Sequence, residues 1–245
     1  METSKTTRQL SIAAALLFAA TAMTAGYRTI GLPPVVIVGG SALIGLVLWI
    51  RTYLRRPLDP RVMLPPFLLT VAALEVHMAE EYLTGFGPAM SRLFDISWTE
   101  HSFLMVFAFI GPAIYSLTAL GLYYRVPLAG FVAWFIFIGP GAAEFTHFIF
   151  PALQPAILPD VLEPVSQAVG NGHFVAHMPN YWWRMSGSYY FSGMYTAVLP
   201  MLPGIWAIVR TLRAARAAQA PSLDRPTMPM KRRAAARVIP MGMGS

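Results

Sequence analysis

The chain has 245 residues, of which 56% are hydrophobic and 12% are charged, with a mean hydropathy of +0.55 and a formal net charge of +7. Soluble domains carry about 25% charged residues, so this composition excludes an ordinary soluble protein and indicates an integral membrane protein. The absence of cysteine excludes disulfides, Cys-ligated iron–sulfur clusters and thiolate zinc sites.

The chain is predicted to fold as an all-α, polytopic membrane helix bundle. A transmembrane helix needs about 20 predominantly apolar residues. Six segments meet this requirement: Leu10–Tyr27, Leu32–Ile50, Val62–Leu83, His101–Tyr124, Val126–Phe150 and Tyr189–Val209. The first of them, with Lys5 and Arg8 before it and Ala20-Thr21-Ala22 inside it, also resembles a cleavable signal peptide. Cleavage would leave five spans and would not change the orientation of the rest.

Cations in the loops predict the orientation of the bundle. Residues 1–212 are predicted to form the transmembrane bundle, with a long outer loop at 151–188 between the last two spans. If the N-terminus is inside, fifteen of the eighteen Lys and Arg residues fall in inner segments. The positive-inside rule therefore predicts that both termini are cytoplasmic. Residues 213–245 are predicted to be a basic disordered cytoplasmic tail that contacts anionic lipid rather than nucleic acid.

Ionisable side chains lie inside or at the ends of several apolar segments. Each costs at least about 2.5–3.5 kcal/mol at bilayer depth, so such residues are rarely incidental. Because successive spans alternate in direction, the outer ends of the third, fourth and fifth spans share one side of the membrane with the 151–188 loop. The side chains predicted to gather there as metal ligands are His77, Glu80, Glu81, His101, Glu144, His147, His173 and His177.

Helical spacing predicts which of these side chains share a face. His77, Glu80 and Glu81 stand at i, i+3 and i+4, so one face of the third span presents all three. Glu144 and His147 stand at i and i+3, the Glu-x-x-His spacing that di-iron carboxylate bundles use to present two ligands. The alternative for both groups is a buried hydrogen-bond network without a metal, in which adjacent carboxylates repel each other unless one is protonated.

Three further histidines and a tyrosine complete the candidate set. His101 stands at the outer start of the fourth span, where the alternative is an interfacial helix start. His173 and His177 can chelate at i, i+4 if the loop is helical there, and are otherwise surface residues. Tyr190 is a candidate catalytic residue, with an aromatic membrane belt as the alternative.

Three segments carry a resemblance to a known family. His77-Met-Ala-Glu80-Glu81 resembles the signature of the HXXEE family of small bacterial membrane proteins. Ala142-Ala-Glu-Phe-Thr-His147 is similar to the second motif of that family, and Tyr190-Phe-Ser-Gly-Met-Tyr-Thr196 is similar to its terminal Tyr-x-x-Gly-x-x-Thr motif. Glu144 departs from the family pattern, in which an asparagine usually stands before the histidine, and the 151–188 loop looks like an insertion. The resemblance implies an enzyme of the bacterial inner membrane and supplies no reaction.

The leading hypothesis is a membrane-embedded, metal-dependent enzyme that acts on a lipid or other apolar substrate. Ligation by nitrogen and oxygen alone suits one or two divalent ions of iron, zinc or manganese. Iron would favour oxygen activation with a redox partner, whereas zinc would favour hydrolysis with a glutamate as general base. Glu80, Glu81 and Tyr190 are the candidate catalytic residues.

Two other classes of function remain open at this point. One is a proton-coupled transporter or ion-conducting subunit in which Glu75, Glu80, Glu81 and Glu144 relay protons, although the chain has no evident inverted repeat. The other is a subunit in which histidine ligates haem or chlorophyll, which the companion carboxylates disfavour.

Overall fold

A computed structural model describes residues 2–94, 98–153, 168–169, 173–174 and 189–219. The helices are α1 (Lys5–Thr29), α2 (Leu32–Thr52), α3 (Pro60–Thr84), α4 (Phe86–Phe94), α5 (Glu100–Leu104), α6 (Gly111–Tyr123), α7 (Pro127–Ile136), α8 (Phe150–Leu153) and α9 (Val198–Gln219). A π-helical segment, Met105–Ile110, joins α5 to α6, while a π-helical segment and a 3₁₀ helix, Phe137–Gly141 and Ala142–Phe148, continue α7. The two-residue strands β1 (Ala168–Val169) and β2 (His173–Phe174) pair antiparallel.

Six helices among the described residues are long and apolar enough to cross a membrane, which confirms the predicted fold class. They are Lys5–Thr29, Leu32–Thr52, Pro60–Thr84, His101–Tyr123, Pro127–Phe148 and Val198–Gln219. Proline stands in the first turn of α2, α3 and α7, where the missing N–H has no partner within the helix in any case. The side chain of Asp59 accepts the backbone N–H of Arg61 and caps α3.

The fifth span is the most buried of the six and packs against α1, α2, α3, α6 and α9, while α3 packs most extensively against α9. Fully buried aromatic side chains join α2, α3 and the fifth span: Trp49, Phe67, Phe131, Trp134 and Phe137. The fifth and sixth spans meet backbone to backbone, because a Cβ on Gly204 would lie 2.9 Å from the Cα of Gly141. Small residues permit such close approach of two membrane helices.

The spans alternate in direction, and their ends meet in pairs. At the end of the bundle that holds the N-terminus, the Thr3 N–H donates to Arg55 O at 3.0 Å, and Gln219 Nε2 donates to Arg51 O at 3.1 Å. Both ends of the described chain therefore lie at the same end of the bundle. The outer ends of the third and fifth spans share the opposite end with the start of the sixth, as the alternation predicts.

The prediction that the sixth span begins at Tyr189 is wrong. Residues 189–197 form turns, and α9 begins at Val198. Gly193 has a φ of 84°, outside the range of a right-handed helix. The backbone N–H groups of Tyr195 and Thr196 donate to Glu80 rather than to carbonyls of a preceding turn.

The other end of the sixth span also differs from the prediction. Helix α9 runs to Gln219, so residues 213–219, assigned to the tail, are helical. Alanine and arginine dominate that stretch and are strong helix formers. Residues 220–245 and most of the 151–188 loop lie outside the described residues.

Candidate metal centre

Two spans bring four ligand side chains together at the outer end of the bundle. His77 and Glu81 come from α3, and Glu144 and His147 come from the 3₁₀ helix that ends the fifth span. One ligand atom from each of the four lies within 4.8 Å of the others. This group can hold a metal ion, and each of its members was a predicted ligand.

The local conformation of each span positions its pair. On α3 the i, i+4 spacing places His77 and Glu81 one turn apart on one face. In the fifth span Pro140 cannot donate an N–H, and the helix passes through the π-helical segment into the 3₁₀ helix. Because residues i and i+3 eclipse in a 3₁₀ helix, Glu144 and His147 point the same way.

The four ligand atoms alternate between nitrogen and oxygen around a ring. The His77 Nε2 atom lies 3.5 Å from Glu81 Oε1 and 3.2 Å from Glu144 Oε2, while His147 Nε2 lies 3.2 Å and 3.0 Å from the same two atoms. Tetrahedral zinc with bonds of about 2.0–2.1 Å separates neighbouring ligand atoms by about 3.3 Å. The four adjacent separations are therefore those that a single small divalent ion requires, and all four atoms lie within 4.8 Å of one another.

Hydrogen bonds on the far side of each imidazole determine which nitrogen faces the ring. The His147 Nδ1 atom lies 2.8 Å from Ser192 O, and a carbonyl can only accept, so this nitrogen carries a proton. The His77 Nδ1 atom lies 3.0 Å from Thr196 Oγ1, which donates its own proton to Glu80 Oε2 at 2.6 Å. Nδ1 of His77 is thus also the donor. In the neutral form both imidazoles direct an Nε2 lone pair at the carboxylates.

Burial makes this arrangement costly without a cation. The side chains of His77, His147 and Glu81 are 0%, 2% and 3% exposed. The second oxygen of Glu81, Oε2, is buried and has no hydrogen-bond partner among the described residues. An uncompensated buried carboxylate oxygen is strongly unfavourable, so a cation fits the donor set. Glu144 is 14% exposed and forms the more open edge of the ring.

The non-helical segment 189–197 covers the ring, and Gly193 is its closest point. A Cβ at this position would lie 2.8 Å from Glu81 Cγ and 2.9 Å from Cε1 of both His77 and His147. The positive φ and the lack of space both require glycine here. The same segment supplies the acceptors for both histidines.

Glu80 does not belong to the four-residue group, although it was a predicted ligand and catalytic residue. Its Oε2 accepts from the backbone N–H of Thr196 at 2.7 Å and from the hydroxyl of that residue. Its Oε1 accepts from Tyr190 OH at 3.1 Å and from the Tyr195 N–H at 3.3 Å. Both oxygens of Glu80 are therefore engaged by the 189–197 segment and hold it against α3.

Tyr190, predicted as catalytic, lies one layer away from the ring. The aromatic side chain of Tyr190 is buried and packs against that of Tyr195, with the two ring centroids 4.8 Å apart. Burial raises the pKa of Tyr190 above its ordinary value, so the hydroxyl keeps its proton and remains a donor to Glu80.

Aromatic side chains separate the ring from solvent on the side of His147. The imidazole centroid of His147 lies 5.3, 5.7 and 6.1 Å from the ring centroids of Phe86, Phe150 and Phe191. Such an apolar wall lowers the local dielectric and strengthens the interaction between a cation and the carboxylates.

Among the other predicted ligands that the structure describes, His101 does not belong to this group. His101 is exposed at the start of the fourth span, where Thr99 caps the helix by accepting the Ser102 N–H. The backbone of His173 belongs to β2, and His177 lies outside the described residues. Glu75 is exposed on α3, facing away from the ring as its spacing from His77 indicates.

No protein-family model, curated protein or solved structure matches this chain. What the site can do therefore follows from its own geometry.

Sequence reasoning missed three residues of the site: Ser192, Gly193 and Thr196. Ser192 contacts His147 through its carbonyl, and Thr196 contacts His77 through its hydroxyl. Gly193 packs against the ring because it has no side chain. The signal that could have found two of them is the Tyr-x-x-Gly-x-x-Thr pattern itself, because a glycine and a threonine within an aromatic apolar run mark a departure from regular helix.

Proposed function

We propose that this protein is a membrane-embedded, metal-dependent enzyme with one divalent ion bound by His77, Glu81, Glu144 and His147. The observation that carries the proposal is that the Nε2 atoms of His77 and His147 each lie 3.0–3.5 Å from the same two carboxylate oxygens. Lone pairs and carboxylates repel each other unless a cation or protons lie between them. The unpartnered Glu81 Oε2 favours the cation.

The three most buried ligands, His77, His147 and Glu81, form a set of two histidines and one carboxylate. Such a set serves iron oxygenases and, in a different geometry, zinc hydrolases. A bound ion would supply oxygen chemistry if it is iron and Lewis acidity for hydrolysis if it is zinc. Glu144, at the open edge, is then either the fourth ligand or the base that accepts a proton from substrate or water.

We propose that the substrate is a lipid or another apolar molecule that reaches the site from the bilayer. The exposed apolar surface next to Glu144 supports this proposal, since Phe145 and Phe148 are both exposed there. The aromatic wall of Phe86, Phe150 and Phe191 excludes water on the other side. If the ion is iron, the reaction also needs a redox partner.

We further propose that the protein belongs to the HXXEE family and lies in the bacterial inner membrane with both termini in the cytoplasm. The three motif segments, distant in sequence, converge on one site: residues 77–81, 142–147 and 190–196. The excess of cations on the inner segments supports the orientation, which would put the site near the periplasmic face.

Metal analysis of the purified full-length protein tests the proposal. We expect about one divalent ion per chain in the wild type, and loss of that ion in His77→Ala and Glu144→Ala. Glu75→Gln, which removes a charge from the exposed face of α3, is the matched control and should retain the ion. Iron would select oxygen chemistry and zinc would select hydrolysis. Wild-type occupancy in both alanine variants, or a metal-free wild type, would refute the proposal.

Proton relay through a transporter or ion-conducting subunit is the second candidate. The observation that favours it is a continuous hydrogen-bonded chain from Tyr190 through Glu80 and Thr196 to His77. A metal-free wild type that conducts protons in liposomes, with loss of conduction in Glu80→Gln, would support this candidate over the enzyme.

A further inference from the structure

We propose that Glu80 is a positioning residue that acts through Thr196 to keep the proton of His77 on Nδ1, so that the 189–197 segment sets the affinity of the metal site. This inference rests on the proposed function, because it concerns the same ring of ligands. It gives the two neighbouring glutamates of α3 different roles: Glu81 binds the ion, and Glu80 orients a ligand.

The direction of the hydrogen bonds follows from the chemistry of each group. Glu80 Oε2 receives the Thr196 N–H at 2.7 Å and has the Thr196 hydroxyl at 2.6 Å. A carboxylate only accepts, so the hydroxyl proton points to Glu80 and the hydroxyl lone pairs point away from it. The group at the lone pairs is His77 Nδ1, 3.0 Å away, which must therefore be the donor.

Without this hydroxyl, His77 has no fixed tautomer. A neutral imidazole with its proton on Nε2 would direct a hydrogen rather than a lone pair into the ring and could not bind the ion there. Residues behind metal-binding histidines commonly fix the tautomer in this way, and their loss costs about 10–100-fold in metal affinity.

The two histidines are held by different means. Behind His147 lies a backbone carbonyl, that of Ser192, which no side-chain substitution removes. Behind His77 lies a side chain whose orientation depends on Glu80, and Glu80 in turn is held by donors from Tyr190 and Tyr195. A substitution at Thr196 can therefore change the affinity of the site although it replaces no ligand.

Zn²⁺ titration of the full-length protein against a competing chelator tests this inference, after removal of any bound metal. Thr196→Val keeps the shape of the side chain and removes the hydroxyl, and we expect it to weaken Zn²⁺ binding by at least tenfold. Thr196→Ser restores a hydroxyl and should return the affinity to within about threefold of wild type.

Thr211→Val is the matched control. Thr211 is fully buried on α9, and its hydroxyl has no hydrogen-bond partner among the described residues. It lies roughly 20 Å along the helix from the start of α9, at a rise of about 1.5 Å per residue. Its replacement by valine should leave Zn²⁺ affinity unchanged.

A second readout reports the tautomer directly. Side-chain ¹⁵N spectra of the metal-free protein distinguish a proton on Nδ1 from one on Nε2, and His77→Gln assigns the signal. We expect the Nδ1–H form in wild type and in Thr196→Ser, and a mixture of tautomers in Thr196→Val. A merely structural role of Thr196 would not move this signal.

The outcomes separate the inference from the proposed function. If Thr196→Val binds Zn²⁺ as tightly as Thr211→Val does and keeps the wild-type tautomer, the positioning role is refuted while the metal site stands. If the wild type binds no Zn²⁺ and retains no other metal, the proposed function is refuted, and the tautomer comparison alone then decides the role of Thr196.

Discussion

The substitution Gly193→Ala tests whether the 189–197 segment is part of the metal centre. At a φ of 84° an alanine adopts a left-handed conformation, which costs about 1–2 kcal/mol. The new Cβ would also lie 2.8–2.9 Å from carbon atoms of Glu81, His77 and His147. All three neighbours belong to the proposed ligand set, so the clash displaces either their side chains or the segment that holds both histidines. Since about 1.4 kcal/mol is a factor of ten, we expect Zn²⁺ affinity to fall on the order of 10–100-fold.

The assay compares Zn²⁺ affinity and thermal unfolding of Gly193→Ala with those of Gly40→Ala. Gly40 lies inside α2, and a Cβ there would meet no atom within 4 Å. Alanine in a helix interior stabilises by roughly 0.5–1 kcal/mol relative to glycine, so this control should keep its metal and unfold no earlier than wild type. Wild-type affinity in Gly193→Ala would show that the segment does not pack on the ligands and would remove the basis for its role in the site.

Three further outcomes follow from the same geometry. Tyr190→Phe keeps the buried aromatic ring but removes one donor to Glu80, so the free energy of unfolding in detergent should fall by about 0.5–1.5 kcal/mol. An unchanged free energy of unfolding would contradict that hydrogen bond. Zn²⁺ affinity should rise with pH, because neutral histidines and ionised carboxylates bind the ion. Titrations between about pH 6 and pH 8 measure this dependence, and an affinity that does not change with pH would argue against this ligand set. Metal at 100 times its dissociation constant should stabilise the fold by about 2.7 kcal/mol, so a chelator should lower the melting temperature of wild type but not of His147→Ala.

Local pattern was enough to find the six spans and to include the four clustered residues among the eight predicted ligands. Apolar runs of about 20 residues identify membrane helices because unpaired backbone groups cannot be left in lipid. The i, i+4 spacing of His77 and Glu81 and the i, i+3 spacing of Glu144 and His147 then place each pair on one face. Alternation of the spans brings both pairs to the same end of the bundle, and this inference needs no knowledge of how the helices pack.

The distinction between Glu80 and Glu81 could not be made from the sequence. Both stand one turn from His77, and side chains of adjacent helix residues point about 100° apart. Which of them meets the fifth span and which meets the 189–197 segment depends on where those two elements pack around α3.

The sequence by itself determined a helical membrane protein with two pairs of candidate metal-ligating side chains, because hydrophobicity and helical periodicity are properties of local sequence. Residues 189–197 are apolar enough to be predicted as helix. Only the tertiary structure decided that they form non-helical turns that cover the ring of ligand atoms. The physical reason is that Glu80 offers acceptors to the N–H groups of Tyr195 and Thr196, while the left-handed Gly193 lets the chain approach the ligands. The acceptors of Glu80 belong to a helix more than a hundred residues earlier in the chain, so no local pattern in residues 189–197 indicates them.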